Sequence, residues 1–376
     1  AYLERRKITR KTAMDFGLGA SLDQWDALIT AMTAKGFTKA ELLAAGLAVQ
    51  NAHGRLYDKF RNRLMFPVID VRGDVVGFGG RVLDKSEPKY MNTPETITYS
   101  KRRILYGINL AKKTKRPNFI LCEGNIDVIT LHQAGFDNAV ASMGTALTTE
   151  QTRLLSRYTK ELVLCYDNDG AGKTATQKAI DLLNNSEFTV KVLNIPNRIE
   201  GGQPVKQDVD DFIKNRGAAA FEHLLSGSEN HVAYQIDSVA AKYDLGDDQQ
   251  RVAFAEEVSA VIAGLDNAVE REIYTARAAE QAGISKDALQ LEVQRAAKRR
   301  AGKARWEQLR KEMNPVAALQ PQERSIRYSD VHSAMAEEGI IRCLLLDDSL
   351  ASLCTSLQPE EFSSPLLGKI YGALLS

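Results

Sequence analysis

The sequence lacks long apolar runs, closely spaced cysteine pairs and any sizeable net charge. None of its four cysteines (Cys122, Cys165, Cys343 and Cys354) belongs to a CxxC pair, so we expect no zinc ribbon. Its apolar stretches are far too short to span a bilayer, and the initial AYLERRK lacks the apolar core of a signal peptide. We therefore expect a cytoplasmic protein without membrane contacts. Because the sequence does not begin with Met, we also expect it to be part of a longer protein.

The composition is that of an ordinary globular protein, with 44% hydrophobic and 26% charged residues. A chain of 376 residues predicts two or more domains. The net charge of +1 hides an asymmetry, because residues 1–116 contain 22 Lys and Arg against 11 Asp and Glu, whereas the remainder contains 27 against 37. This basic N-terminal region, followed by a more acidic remainder of the chain, favours polyanion binding next to a metal site. Charges scattered over a solvated surface would fit the same counts.

Residues 1–116 predict a mixed subdomain of helices and strands. Helical spacing of apolar residues in LDQWDALITAMTAKG predicts a helix from Leu22, with Ser21 as its N-cap. The segment RLMFPVIDVRGDVVGFGGRVL predicts two strands joined by a turn at residues 72–74. The polar residues 84–104 predict an irregular loop.

Strand patterns alternate with helix patterns between residues 117 and 196. This alternation predicts a parallel sheet covered by helices on both faces, with its functional crevice beyond the carboxyl ends of the strands. From about residue 217 the pattern is helical to the end. Residues 314–328, with two prolines, predict a linker between helical segments.

Three acidic clusters lie in this central region. Glu123 in EGNIDV and the pair Asp167 and Asp169 in CYDND each follow an apolar run, whereas Asp208 and Asp210 in QDVDDF follow one at a longer distance. Carboxylates gathered at one sheet edge repel one another, and a hard divalent cation is the usual resolution. Each cluster alone is a weak signal, but together they predict metal-assisted phosphoryl-transfer chemistry.

The segment DNDGAGKT is not a P-loop, although its GKT follows a predicted strand and opens a predicted helix. A P-loop requires Gly five positions before Gly172, where this sequence has Asp167. An aspartate there would repel the phosphates. We expect Gly170 and Gly172 to allow a tight turn that directs the aspartates to one ligand.

With these motifs, the chain resembles the bacterial replicative DNA primases, whose catalytic core contains a Toprim domain. The resemblance covers nearly the whole chain and is carried by GRLYDKFRNRLMFPV, GDVVGFGGRVL, PKYMNTPET, ILYG, EGNIDVI, AVASMGTALT and YDNDGAGK. The acidic clusters alone would indicate only a Toprim protein. The basic segments of the front half are similar to those of primases.

The resemblance implies roles for particular residues of this sequence. The implied catalytic residues are Glu123, Asp127, Asp167 and Asp169. The implied metal ligands are Glu123, Asp167, Asp169, Asp208 and Asp210. The implied nucleic-acid-binding residues are Arg6, Arg81, Lys89 and Lys101, and the implied nucleotide-binding residues are Lys59, Arg61 and Arg63. The family usually has an aromatic residue and Met where this chain has Asn125 and Ile126, and we expect activity to survive that change.

The resemblance also implies a combined α/β and α+β fold. Its expected parts are a basic N-terminal mixed subdomain (1–116), a Toprim domain with a parallel sheet (117–216), a C-terminal helical bundle (217–312), a linker (313–328) and the start of a helicase-binding helical domain (329–376). The zinc-binding domain of the family is absent from this sequence, so we expect no bound zinc.

The implied activity is DNA-directed synthesis of RNA primers from ribonucleoside triphosphates on single-stranded DNA, with Mg²⁺ or substituting Mn²⁺. The implied partners are the replicative helicase and single-stranded-DNA-binding protein, at the replication fork in the cytoplasm. Two alternatives are another Toprim enzyme, such as a nuclease or topoisomerase, and a non-catalytic nucleic-acid-binding module. The apolar helix around residues 340–346 fits either a bundle core or a helicase-binding surface.

Overall fold

The computed structural model describes residues 2–144, 146–184, 186–201, 203–313, 330–346, 350–351, 354 and 357–375. The chain divides into two compact units, Ala1–Lys242 and Tyr243–Ser376. In these described ranges, no helix has both the length and the apolar character needed to cross a membrane. The predicted linker at residues 314–328 lies outside them, and the predicted domain boundaries stay predictions.

The N-terminal part of the first unit combines short helices with antiparallel strands. Its elements are α1 (Tyr2–Arg5), α2 (Arg10–Asp15), β1 (Gly19–Ser21), α3 (Ala27–Ala34), α4 (Lys39–Ala44), β2 (Ala48–Gln50), β3 (Leu56–Asp58), β4 (Arg63–Ile69), β5 (Val75–Val82), β6 (Tyr90–Asn92) and α5 (Ile108–Ala111). Among the described residues, β1, β4, β5 and β6 form one sheet in that order, and β2 pairs with β3. Leu64, Phe66 and Val68 alternate along β4 and enter the core, as period-two burial requires.

The predicted hairpin is confirmed by the pairing of β4 with β5. Asp70 builds its turn, because one carboxylate oxygen accepts hydrogen bonds from the backbone N–H groups of Arg72, Gly73 and Asp74 at 2.8, 3.0 and 3.1 Å. Gly73 has a φ of +102°, which a side chain would disfavour.

The predicted start of the helix at Leu22 is wrong. Ser21 belongs to β1, where it pairs with Arg63, and α3 begins only at Ala27. Its first N–H groups are capped by a distant side chain, since the carboxylate of buried Asp58 accepts from Leu28 at 2.7 Å and from Ile29 at 3.0 Å. Such a tertiary cap leaves no local sequence signal. The short strand β6 also lies inside the stretch predicted to be loop.

The central part of the first unit alternates strands with helices, as predicted. Its elements are β7 (Asn118–Cys122), α6 (Asn125–Gln133), β8 (Ala139–Ala141), α7 (Thr149–Leu155), β9 (Glu161–Cys165), α8 (Gly170–Leu183), β10 (Thr189–Val192), β11 (Arg198–Glu200), β12 (Gln203–Val205), α9 (Val209–Ser226), β13 (Glu229–Asn230) and α10 (His231–Ala240). The described sheet has the order β13-β10-β9-β7-β8 and is parallel except for β13. Strands β11 and β12 form a separate two-stranded hairpin.

Both faces of the parallel sheet are buried, which explains its nearly continuous apolar strands. One face of β7 and β9 contributes Ile120, Cys122, Val163 and Cys165 to one core cluster. The opposite face contributes Phe119, Leu121, Leu162 and Leu164 to a second cluster. The cysteines Cys122 and Cys165 are therefore buried free thiols.

The second unit is helical in its described residues. Its elements are α11 (Asp248–Ile262), α12 (Ala268–Ala282), α13 (Lys286–Met313), α14 (Val331–Leu346), a 3₁₀ turn (Pro359–Glu361) and α15 (Pro365–Leu375). Helices α11, α12 and α13 contact one another, and α14 contacts α15. Ile341 and Leu344 of α14 are core residues, whereas Leu345 and Leu346 are exposed.

Candidate active site

Strands β7 and β9 place two acidic residues at one edge of the parallel sheet. Cys122 and Cys165 are paired neighbours at the ends of these strands, so Glu123 and Asp167 follow at adjacent positions. The turn into α8 requires Gly172, because a Cβ atom there would lie 1.9 Å from the carbonyl oxygen of Asp167. A Cβ at Gly170 would meet nothing within 4 Å. The expected tight turn therefore depends on Gly172.

An open cleft of about 290 Å³ lies beyond these strand ends. Four carboxylates from three chain segments line it: Glu123, Asp127, Asp167 and Asp208. Its other lining residues are Arg6, Lys89, Tyr90, Asn92, Gly124, Asn125, Ile126, Met143 and Gly144. The structure thus brings most of the predicted acidic residues together with two predicted basic ones.

The cleft carboxylates are crowded, and the pKa values of Glu123, Asp127 and Asp208 reflect it. Burial raises the pKa of Asp127 well above its usual range, and the charges of Asp208 and Asp167 raise it further. Glu123 stays accessible to solvent, yet partial desolvation and the charge of Asp167 raise its pKa as well. Burial also raises the pKa of Asp208. Negative charge in this cleft is therefore unfavourable until a cation compensates it.

Two of these carboxylates also fix the starts of helices. The Asp127 carboxylate accepts a hydrogen bond from the N–H of Gly124 at 3.1 Å, in the first turn of α6. Asp208 is the N-cap of α9, where its side chain accepts from the N–H of Asp211 at 2.7 Å. These local bonds orient each side chain at the positive end of a helix.

Asp169 lies beside the cleft and shares a cation with Asp167. The ammonium group of Lys206 donates to Asp167 Oδ2 at 2.9 Å and to Asp169 Oδ2 at 2.7 Å. Asp169 also caps α8 by accepting from the N–H of Gly172 at 2.8 Å. That backbone hydrogen bond and the Lys206 ammonium lower the pKa of Asp169.

Asp210 is fully buried and is held by side chains of the protein itself. Its carboxylate accepts hydrogen bonds from Arg6 and Lys214, and from Thr130 Oγ1 at 2.7 Å. The carboxylate oxygens of Asp208, Asp210 and Asp211 nevertheless lie within 4.8 Å of one another, an arrangement compatible with divalent-metal binding. Of these three residues, Asp208 lines the cleft.

The predicted nucleic-acid-binding residues occupy different places. Arg6 and Lys89 line the cleft. The Arg81 guanidinium lies 4.4 Å from the ring centroid of Tyr2 and 5.7 Å from that of Tyr90, a cation–π arrangement. Lys101 is outside the cleft lining.

The predicted nucleotide-binding residues also differ in their surroundings. Burial lowers the pKa of Lys59, and the nearby charge of Lys101 lowers it further. Arg61 lies over Trp25, 4.1 Å from its ring centroid. Arg63 is buried and donates to the carbonyl oxygen of Pro88 at 2.9 Å, a hydrogen bond that holds the backbone.

Sequence reasoning did not identify Lys206, Lys214 or Asn92. Lys214 follows Asp210 by four positions on a helix, so the i,i+4 spacing was a signal for their contact. Lys206 precedes the QDVDD segment directly, but only the folded hairpin shows which carboxylates it meets. Asn92 reaches the cleft through β6 and donates to the carbonyl oxygen of Met143 at 3.3 Å.

Comparisons with known proteins agree with this geometry. Residues 1–112 match the family described as the DNA primase catalytic core, N-terminal domain, and residues 120–213 match the Toprim-like family. Residues 232–287 match the DnaB-helicase binding domain of primase. That match lies before residues 329–376, where the sequence predicts the start of a helicase-binding domain, and the predicted placement stays a prediction.

Several individual proteins are similar over most of this chain. The DNA primase of Clostridium acetobutylicum is 40% identical over 289 residues, which are 77% of this chain and 47% of that protein. A DnaG primase catalytic domain bound to single-stranded DNA is 31% identical, with a TM-score of 0.64, over 76% of this chain and 89% of that one. The RNA polymerase domain of Mycobacterium tuberculosis primase DnaG, in complex with double-stranded DNA, is 33% identical, with a TM-score of 0.65. The match covers 76% of this chain and 90% of that one.

The chain spans about half the length of the curated relatives it matches, at 47% and 44% of the first two. The two matched families, over residues 1–112 and 120–213, include the acidic residues of this sheet edge and the basic residues Arg6 and Lys89 of the cleft. With this fold, these motifs and these relatives, the chain belongs to the bacterial DNA primase family.

Proposed function

We propose that this protein synthesises RNA primers from ribonucleoside triphosphates on single-stranded DNA. The observation that carries the proposal is the convergence of Glu123, Asp127, Asp167 and Asp208 on one cleft that also contains Arg6 and Lys89. In the reaction, the 3′-hydroxyl oxygen of one nucleotide forms a bond to the α-phosphorus of the next. The bond from that phosphorus to the pyrophosphate breaks, and the hydroxyl proton leaves to a base.

The acidic residues fit divalent cations of the Mg²⁺ or Mn²⁺ type. They offer the hard carboxylate oxygens that such ions prefer. The raised pKa values of Glu123, Asp127 and Asp208 mean that negative charge is unfavourable at these positions, and a bound cation would stabilise it. Glu123, Asp167 and Asp208 are the ligands best placed on the cleft surface, with Asp169 beside them. When bound, such ions supply Lewis-acid stabilisation of the charge on the phosphates.

Other cleft residues bind and orient the substrates. Arg6 and Lys89 place positive charge in the same cleft as the carboxylates, where they attract phosphate groups. Glu123 lines the cleft and is exposed to solvent, which also supports its alternative role as proton acceptor for the attacking hydroxyl. Asp127 keeps the start of α6 in place through its bond to Gly124.

The basic residues between positions 1 and 116 would hold template DNA by contacting the DNA phosphates. Such contacts give affinity but carry little sequence information. Support comes from the related catalytic domain whose structure contains single-stranded DNA. The match of residues 232–287 to a helicase-binding family supports the replicative helicase as a partner. We infer single-stranded-DNA-binding protein as a further partner and the cytoplasmic replication fork as the place of action.

The proposal is tested by incubating the protein with a single-stranded template and labelled ribonucleotides, with Mg²⁺, with Mn²⁺ or with chelator. Short oligoribonucleotides should form only with a divalent ion, and Asp167→Ala should abolish them while the protein stays folded. Asp23→Asn, a change at an exposed aspartate, is the matched control and should retain full yield. Normal yield from Asp167→Ala would refute the assignment. So would nicking or relaxation of supercoiled DNA without any oligoribonucleotide product.

A further inference from the structure

The ammonium group of Lys206 occupies the space between the two aspartates that follow β9. It lies 2.9 Å from Asp167 Oδ2 and 2.7 Å from Asp169 Oδ2. Both oxygens therefore already have a positively charged partner supplied by the chain. None of the sequence motifs assigns a role to this lysine.

The backbone around Lys206 is anchored, whereas its side chain is partly exposed to solvent. Lys206 follows the β11–β12 hairpin directly, and the buried side chain of the next residue, Gln207, donates to the carbonyl oxygen of Pro196 at 2.6 Å. This bond closes the base of the hairpin. The Lys206 side chain itself is 44% exposed, so solvent can hydrate its ammonium once it leaves the aspartates.

We propose that Lys206 is an internal counter-ion that a divalent cation displaces from Asp167 and Asp169. The inference rests on the proposed function, because the same carboxylates would bind the metal. A carboxylate oxygen that directs its lone pairs to an ammonium group has less capacity to bind a metal ion, and two adjacent cations repel each other. Lys206 thus lowers the affinity of the pair for metal while reducing carboxylate repulsion in the metal-free protein.

The size of this effect follows from the exposure of the two ion pairs. Solvent-exposed ion pairs are each weak, so a divalent cation can replace the ammonium at modest cost. Removing the ammonium should tighten metal binding by between about two-fold and thirty-fold. Lys206→Arg keeps the positive charge and should leave the affinity close to that of the unaltered protein.

The experiment measures Mn²⁺ binding by electron paramagnetic resonance, at fixed ionic strength and without nucleotide or DNA. It compares the unaltered protein with Lys206→Gln, Lys206→Arg and the control Lys191→Gln. Lys191 is a suitable control because it is 36% exposed and pairs with Glu161 at 3.1 Å, a residue at the start rather than the end of β9. We expect Lys206→Gln to bind Mn²⁺ more tightly than the unaltered protein. Lys206→Arg and Lys191→Gln should bind Mn²⁺ with an affinity close to that of the unaltered protein.

Unchanged or weaker Mn²⁺ binding by Lys206→Gln would overturn the inference. Equal tightening in Lys191→Gln would also overturn it, because the effect would then come from net charge. The primer-synthesis assay on the unaltered protein is separate. If that assay fails while the Mn²⁺ series behaves as expected, the proposed function falls and the counter-ion role of Lys206 stands.

Discussion

Arg6 and Asp210 are 204 positions apart in the chain, yet the guanidinium group of one donates directly to the carboxylate of the other. Asp210 is fully buried and also accepts from Lys214 and Thr130. The ion pair ties the N-terminal segment to the third acidic cluster. It also means that the protein neutralises Asp210 internally, whereas its neighbour Asp208 lines the cleft.

Removal of the Arg6 guanidinium should destabilise the first unit. Arg6→Ala leaves a buried carboxylate with Lys214 as its only cationic partner among the described residues. We expect the free energy of unfolding to fall by about 2–4 kcal/mol, measured by urea denaturation at pH 7. Lys11→Ala breaks only an exposed pair with Asp15 and should cost less than about 0.5 kcal/mol. Similar losses for the two variants would contradict the structural role of Arg6.

Gly172 should tolerate no side chain, unlike Gly170 two positions earlier. In Gly172→Ala the new Cβ would meet the carbonyl oxygen of Asp167 at 1.9 Å, so the backbone that carries this carboxylate must move. We expect a stability loss of about 1–3 kcal/mol and weaker Mn²⁺ binding, measured by thermal unfolding and by paramagnetic resonance. Gly170→Ala meets no atom within 4 Å and should retain both properties. Equal behaviour of the two alanine variants would show that the close approach is unimportant.

The crowded carboxylates predict a pH dependence of stability in the metal-free protein. The folded state raises the pKa of Asp127, chiefly by burial, so it retains a proton that the unfolded chain releases. Stability should therefore decline as the pH rises from the unfolded-state pKa of about 4, and level off above the raised folded-state pKa. Glu123 and Asp208 act in the same direction.

Asp127→Asn tests this dependence, because the amide oxygen can still accept from Gly124 but carries no charge. We expect a shallower decline and a more stable protein at pH 8, measured by urea denaturation in chelator across pH 4–8. Asp23→Asn, at an exposed position, should follow the unaltered protein. A slope that is unchanged in Asp127→Asn would mean that this carboxylate does not carry the charge penalty.

DNA binding should weaken steeply with salt, since it depends on phosphate contacts. Lys89→Ala combined with Lys101→Ala should lower the affinity for single-stranded DNA and reduce the salt slope by about one unit for each phosphate that the variant no longer neutralises. Metal binding should stay intact. Fluorescence anisotropy at several salt concentrations measures both the affinity and the slope. Lys160→Ala, which removes an exposed partner of Glu187, is the control. An unaltered slope in the double variant would remove these lysines from the DNA-binding surface.

Local patterns predicted the elements around the cleft well. The apolar runs before Glu123 and Asp167 form adjacent parallel strands, as predicted. The start of α3 was missed because its cap, Asp58, comes from a strand that follows it in sequence. Strand β6 was missed because three residues carry too little periodicity to be recognised.

The sequence by itself determined the alternation of strands and helices, and with it the edge at which Glu123 and Asp167 meet. It did so because side-chain periodicity and local caps act over a few residues. Only the tertiary structure decided which charged partner each acidic residue meets. Arg6 and Lys206 reach Asp210 and Asp167 across long separations in the chain, and burial and Coulomb energies depend on distance in space rather than on position in sequence.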